Sequence, residues 1–241
     1  MLPIVYQSLE WGLFFAMPKN RSKLFSKFSE IRIYALVFNP ERKNMTFATA
    51  MERSTQFGLW LHAQCNEAVW KCSDKQRGSL ALLQHALDLV DGIIVLLERR
   101  MPGPAMTLAR PLFEAYARGY WLARIATEAE FEKMLRGSGP SFKEILDVLG
   151  NDAESGAAWI QNNKASNWRS FNGLTHGGAE HIFRRVTETS IEPSYPEEEQ
   201  ARLLEFSLEV AIRVGVEMFS VADDVDRMEA LHSEVAKLRA V

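Results

Sequence analysis

Leu108-Ala109-Arg110-Pro111-Leu112-Phe113-Glu114-Ala115-Tyr116-Ala117-Arg118-Gly119-Tyr120-Trp121-Leu122 decides how this chain folds. Within the segment Ala105 to Ile125, Leu108, Leu112, Phe113, Tyr116, Tyr120, Trp121 and Leu122 occupy most of the circumference of a helix. A helix that is apolar nearly all round belongs at the centre of a bundle. Pro102-Gly103-Pro104 breaks the chain just upstream. Proline kinks a helix interior but suits its first turn, so Pro111 places the true helix start at Arg110. Arg110 then lies near the positive end of the helix dipole, where it needs an acidic or anionic partner. Arg110, Glu114 and Arg118 step by four and can form an ion-pair ladder, with Asp88 or Asp91 of the preceding segment as further candidates. Buried charges persist only when paired, so this ladder is either a registry device or the floor of a site.

The preceding segments extend the helical pattern. Ser79 to Arg100 is apolar from Leu80 to Leu97 with Gln84, Asp88 and Asp91 as a polar stripe, and two aspartates and a histidine would be costly in lipid. It reads as a buried bundle helix. Further upstream, Phe57, Trp60, Leu61, Cys65, Ala68, Val69 and Cys72 recur at three- and four-residue steps, predicting a helix from Thr46 that closes near Ser73-Asp74. Cys65 and Cys72, the two cysteines of the chain, would share a face of that helix but stand too far apart for a disulfide. They read as reduced thiols of a cytoplasmic protein. Residues 1–44 scatter Phe14, Phe15, Phe25, Phe28 and Phe38 among Lys19, Arg21, Lys23, Lys27 and Arg32 without a period. Positive charge follows the first apolar run instead of preceding it, which argues against a cleaved signal peptide. We read 1–44 as an N-terminal extension, disordered or an over-call of the start site, and 45–241 as one all-α, antiparallel helical bundle domain.

Downstream of the central helix come Glu128 to Leu135, a Gly137-Ser138-Gly139-Pro140 turn, Phe142 to Leu149 and a helix around Ala157 to Asn163. Asn167-Trp168-Arg169-Ser170-Phe171-Asn172-Gly173-Leu174-Thr175-His176-Gly177-Gly178 follows, with strong polar groups packed between aromatic anchors and a glycine stop. On a helix reaching the glycine pair, Arg169 and His176 are seven residues apart and share a face with Asn172. A second reading makes His176 a helix-end histidine beside a glycine C-cap.

An arginine, six residues and a histidine resembles the Arg-x(4 to 6)-His motif of the HEPN superfamily of helical nucleotide-binding and RNA-cleaving domains. Arg110-Pro111-Leu112-Phe113-Glu114-Ala115 resembles the Arg-x-Leu-x-Glu-Ala signature of several uncharacterised all-helical bacterial families. These also carry a Trp-(Arg/Lys)-x-x-Asn-x-x-Thr-His-(Thr/Gly)-Gly block, which Trp168 to Gly178 fits. The two blocks occur here in the expected order, and the resemblance covers about Met45 to Ala222. It implies an HEPN-like helical architecture. One departure stands out: Ser170 follows Arg169 where many HEPN motifs place Asn, Asp or His.

Beyond the glycines, Arg184 and Arg185 are candidates, with Arg169, for a local basic cleft, or else solvated dipole partners at a helix end. Ser194-Tyr195-Pro196-Glu197-Glu198-Glu199 starts a helix with acid in its first turn, running through Leu203 to Phe219 with Glu205, Glu209, Arg213 and Glu217 as a solvated ladder. Asp223 to Arg239 completes the bundle. The chain has one Glu-x-x-His element, Glu229 to His232, where a di-metal bundle needs two, and His176 and His181 are five apart instead of four. We therefore assign no metal and no cofactor.

The net charge of -3 and a pI near 6.0 supply no general attraction to nucleic acid, so RNA binding would require a local cleft. The sequence reading assigns Arg169, His176 and Asn172 as catalytic and Arg110, Glu114, Arg184 and Arg185 as substrate-binding. The function expected is metal-independent cleavage or binding of RNA or nucleotides by a homodimer, of a toxin or phage-defence kind, without a membrane span or DNA sequence recognition. The alternative is a non-catalytic interaction or dimerisation module in which the Arg-Asn-His face is a structural hydrogen-bond network.

Overall fold

The computed structural model describes residues 45–66, 68–151, 155–185 and 190–240, so the segment 1–44 lies outside the described residues. The described residues form an all-α bundle. Its helices are α1 Phe47–Asn66, α2 Asp74–Glu98, α3 Pro102–Thr107, α4 Ala109–Arg124 and α5 Glu128–Leu135. They continue as α6 Phe142–Leu149, α7 Ser155–Thr175, α8 Ala179–Phe183, α9 Glu197–Val221 and α10 Val225–Ala240.

Local chemistry sets the starts of several helices. Ser73, Thr127 and Ser141 cap α2, α5 and α6, each with a glutamine or glutamate three residues on that completes a capping box. The first turn of α9 carries Glu197, Glu198 and Glu199 against the helix dipole. At Leu108 the chain turns from α3 into α4, leaving Pro111 in the first turn of α4 as the sequence predicts.

Register follows from a few contacts. Ser79 Oγ donates to the Gly119 carbonyl at 2.9 Å, while Gly92 faces Leu108 at the other end, so α2 and α4 run antiparallel. Gln76 Nε2 donates to the Val221 carbonyl, placing the end of α9 beside the start of α2. Ser54 bonds to Leu204 and Leu61 approaches Gly215, so α1 runs parallel to α9. The central helices are α4, which buries Leu112, Phe113, Tyr116, Tyr120, Trp121 and Leu122, and α9, buried continuously from Ser207 to Ser220. Among the described residues α2 is the one helix long and apolar enough to cross a membrane, and it buries Leu83, Leu87, Val90, Ile94 and Leu97 in the bundle.

Three sequence expectations are corrected. First, α1 ends at Asn66 instead of near Ser73, because Trp70 leaves the helical path: its Nε1–H reaches Asp224 at 2.9 Å and its ring meets Phe219 edge-on. Cys72 therefore lies in the connection and shares no helical face with Cys65; both thiols are free. Burial pushes the Cys65 thiol up to about 11, against the nearby charge of Arg227. Second, the α9 ladder is not solvated, since Glu209, Arg213 and Glu217 are all buried. Third, Asp91 pairs with His62 at 2.7 Å across α1 and α2, while Arg110 takes its carboxylate from Glu114.

Candidate functional site

The two sequence blocks, 66 residues apart at their nearest bonded pair, meet at one point. Arg110, in the first turn of α4, donates from Nε to Glu114 Oε1 at 2.7 Å and from Nη1 to His176 Nε2 at 2.5 Å. Its guanidinium carbon lies 4.9 Å from the centre of the Trp168 ring, within cation–π range. Trp168 in turn stacks on Phe142 of α6 at 5.6 Å. Arg118 is not a third rung of the ladder; its guanidinium lies over Phe142 at 5.2 Å. Carboxylate, imidazole and indole thus surround Arg110, which satisfies its need for partners at the positive end of a helix.

A guanidinium has donors and no lone pair to offer, so in this contact Arg110 Nη1 donates and His176 Nε2 accepts. The imidazole is held by one ring nitrogen in an otherwise exposed position.

Helix α7 ends so as to present that ring. Gly177 adopts φ +69, and the Gly178 N–H donates to the Gly173 carbonyl at 2.7 Å, which is the long bond of a Schellman cap with His176 at the cap position. A side chain with Cβ at Gly177 would be held in the left-handed region that glycine tolerates best. Gly173 is also needed for space: a Cβ there would meet the Glu180 carboxylate at 1.7 Å. The helix-end reading of His176 is therefore correct as geometry, and the same turn exposes the imidazole.

A second histidine, absent from the sequence-predicted site, fastens this end of α7. His181 Nε2 donates to the Leu174 carbonyl at 2.6 Å, and its Nδ1 accepts from the Tyr195 hydroxyl at 2.9 Å. Thr107 Oγ1 reaches the Leu174 carbonyl at 3.4 Å, and Thr175 Oγ1 donates to the Thr107 carbonyl at 3.3 Å. These bonds dock the end of α7 on α3 just before Arg110. No sequence signal pairs His181 with Tyr195, because their spacing follows no helical or strand period.

The remaining predicted residues divide. Arg169 is exposed on α7 and has no hydrogen bond or ion pair among the described residues. Asn172 contributes its carbonyl, which accepts the His176 N–H at 3.0 Å. Arg184 is engaged elsewhere: Glu199 takes its Nε at 2.6 Å and its Nη2 at 3.1 Å, and that hydrogen-bonded carboxylate raises the guanidinium pKa further. Arg185 is exposed and approaches Gly103 and Tyr195 without joining Arg110. Among the described residues no three His, Cys, Asp or Glu side chains converge as a metal site would require.

A family model described as a family of unknown function (DUF6988) matches residues 83–239, from within α2 to the end of α10, and so takes in both sequence blocks. No curated protein and no solved structure matches the chain.

Proposed function

The chain belongs to that family of unknown function, DUF6988, and from the geometry at Arg110 we propose that it is an HEPN-like, metal-independent ribonuclease acting at the Arg110-His176-Arg169 face. The observation that carries this reading is the bond from Arg110 to an exposed His176, which sets a proton-exchanging group beside a guanidinium that can bind phosphate. Glu114 keeps hold of Nε, so Arg110 can turn its Nη groups to an entering phosphate without losing its anchor. His176 Nε2, released in the same movement, accepts the proton of a ribose 2′-hydroxyl. The 2′-oxygen attacks phosphorus, the bond to the 5′-oxygen breaks, and that oxygen takes a proton from the imidazole, leaving a 2′,3′-cyclic phosphate and a 5′-hydroxyl. Arg110 and Arg169 stabilise the charge gathered on phosphorus.

One arginine pair per chain is a sparse phosphate site, and a symmetric dimer that brings two such faces together would double the cations. Incubating the purified chain with mixed RNA in excess chelator tests the chemistry. Fragments ending in 2′,3′-cyclic phosphate support it; intact RNA at every protein concentration rejects it.

A different observation favours the alternative of a non-catalytic interaction module. Arg110 is already satisfied by Glu114, His176 and Trp168, and Arg184 by Glu199, as in a closed structural network. That reading predicts that His176→Ala destabilises the fold and that no RNA is cut.

A further inference from the structure

The site continues along α4 beyond Glu114. Trp168, which lies against the Arg110 guanidinium, stacks on Phe142 of α6, and the Phe142 ring carries the guanidinium of Arg118 at 5.2 Å. Phe113 of the core meets Phe142 edge-on at 6.1 Å and Trp168 at 6.4 Å, which holds the stacked pair against α4. Each of the two rings therefore bears one arginine of the same helix. Arg110 and Arg118 are two turns apart, so they leave α4 about 12 Å from one another.

Arg118 differs from Arg110 in having no anion. It is half-buried, with no hydrogen bond or ion pair among the described residues. The carboxylates of α4 and α6 have other partners. Glu114, one turn earlier, gives Oε1 to Arg110; Glu144 caps its own helix by accepting the Ser141 N–H; Asp147 lies 3.8 Å from Lys164. Helix α7 contains no acidic residue. A guanidinium seated on a ring has already lost part of its water, yet its donors have no acceptor in the protein. Such a group meets an arriving phosphate in the two-point fork that arginine favours.

We propose that Arg118 is a second phosphate subsite, holding the backbone of a single-stranded RNA a few nucleotides from the phosphate that is cut at Arg110 and His176. The position of the cut rests on the ribonuclease reading; the anion subsite rests on Arg118 itself. The distance of about 12 Å is the rise of three to four stacked nucleotides at roughly 3.4 Å each, so both contacts fall within one short strand. A carboxylate would satisfy one guanidinium as well as a phosphate does. Two of them along one helix, the first beside a proton-exchanging histidine, suit a chain that carries a charge and a 2′-hydroxyl at every step. In-line attack by that hydroxyl needs a geometry that A-form pairing does not hold, so the strand is single. Guanidinia lie over both rings, so the contacts are to phosphates and read no base.

The test measures binding apart from cleavage. Its probe is a hexanucleotide of mixed sequence with 2′-O-methyl riboses, which keeps every phosphate and cannot be cut by its own 2′-oxygen. Anisotropy gives its affinity for the full chain over a range of salt, and each phosphate contact adds about 0.7 to the slope of log K against log salt. Arg118→Met keeps a side chain on Phe142 without the charge; it should lower the slope by about 0.7 and the affinity about fivefold near 0.1 M salt, equally for a second sequence. Arg118→Gln should lose as much, and Arg118→Lys should keep the slope. A hexaglutamate peptide should not displace the probe. An unchanged slope in the charge-free variants, an equal loss in Arg118→Lys, displacement by hexaglutamate, or no binding by the parent overturns the proposal. Unmodified RNA cut with the parent's KM by Arg118→Met removes the subsite and leaves the ribonuclease; the predicted loss of slope in a chain that never cuts RNA does the reverse.

Discussion

Helix α4 carries an arginine–carboxylate pair at each end, and the two have the same length and opposite surroundings. At its last turn, Arg124 Nε meets Glu217 of α9 at 2.7 Å, with side-chain exposures of 6% and 0%. In its first turn, Arg110 Nε meets Glu114 at 2.7 Å, with exposures of 22% and 24%. The buried pair joins α4 to α9 at the helix end where the dipole favours a cation. The half-exposed pair lies where the dipole opposes a cation, and it reaches out of its own helix to His176. One pair fixes how the two central helices meet, while the other leaves a charged group and a histidine within reach of solvent. Burial, more than bond length, separates a structural ion pair from a site.

The largest effect should come from the buried end. Glu217→Ala leaves Arg124 without its carboxylate inside the protein and should cost about 3 to 5 kcal/mol in denaturant unfolding. A loss under about 1 kcal/mol would mean that water reaches Arg124 readily, and the contrast between the two ends of α4 would vanish.

Between the extremes stands Asp224, which caps α10 by accepting the Arg227 N–H at 3.1 Å and also holds the Arg227 guanidinium at 2.6 Å and the Trp70 indole at 2.9 Å. Burial raises the pKa of its carboxyl, but the bonds from Trp70 and Arg227 outweigh that and hold it below the ordinary carboxylate value. A depressed pKa means that the folded state binds this proton less readily than the unfolded one. Its contribution is therefore complete above about pH 4, the unfolded aspartate value, and is lost as pH falls through the folded one. Asp224→Asn should cost about 1 to 2 kcal/mol at neutral pH, the scale of a lost cap with charged hydrogen bonds. The gap between parent and variant should close in acid; a gap that stays constant down to pH 2 would contradict the assignment.

At the other end of α4, Glu114→Ala should cost only about 0.5 to 1 kcal/mol, because Arg110 keeps water, Trp168 and His176 for company. A loss of 3 kcal/mol would place this pair with the buried one.

The sequence made the scaffold legible where one helix decides it alone. Apolar residues around the whole of α4 put it at the centre and Pro111 marked its start; the capping box of Ser73 and Gln76 went unread, and α2 begins at Asp74 instead of Ser79. It failed where position depends on partners from elsewhere in the chain. Glu209, Arg213 and Glu217 step by four as a solvated stripe would, and nothing local shows that Arg124 and the Trp159 ring wait on the other side. Ala68, Val69 and Cys72 continue an apolar helical period, yet the indole N–H of Trp70 among them is drawn to Asp224, 154 residues away. At the site, Arg169 to His176 was legible as spacing on one helix. The bond from Arg110 to His176 was not, since it depends on α7 docking against α3 through Thr107, Thr175 and Leu174. Glu199 likewise takes Arg184 out of the predicted basic cleft by a contact across the α8 to α9 connection.

The central claim, that the exposed end of α4 serves chemistry and the buried end serves the fold, is tested most directly at His176. Cleavage of mixed RNA in chelator and the free energy of unfolding should both be measured for the parent chain and for His176→Ala. The account predicts a loss of about 100-fold or more in cleavage, the usual scale of general acid–base catalysis, with stability changed by less than about 1 kcal/mol. A variant that unfolds several kcal/mol more easily, from a parent that never cut RNA, would contradict it and make the Arg110-His176 contact a structural network.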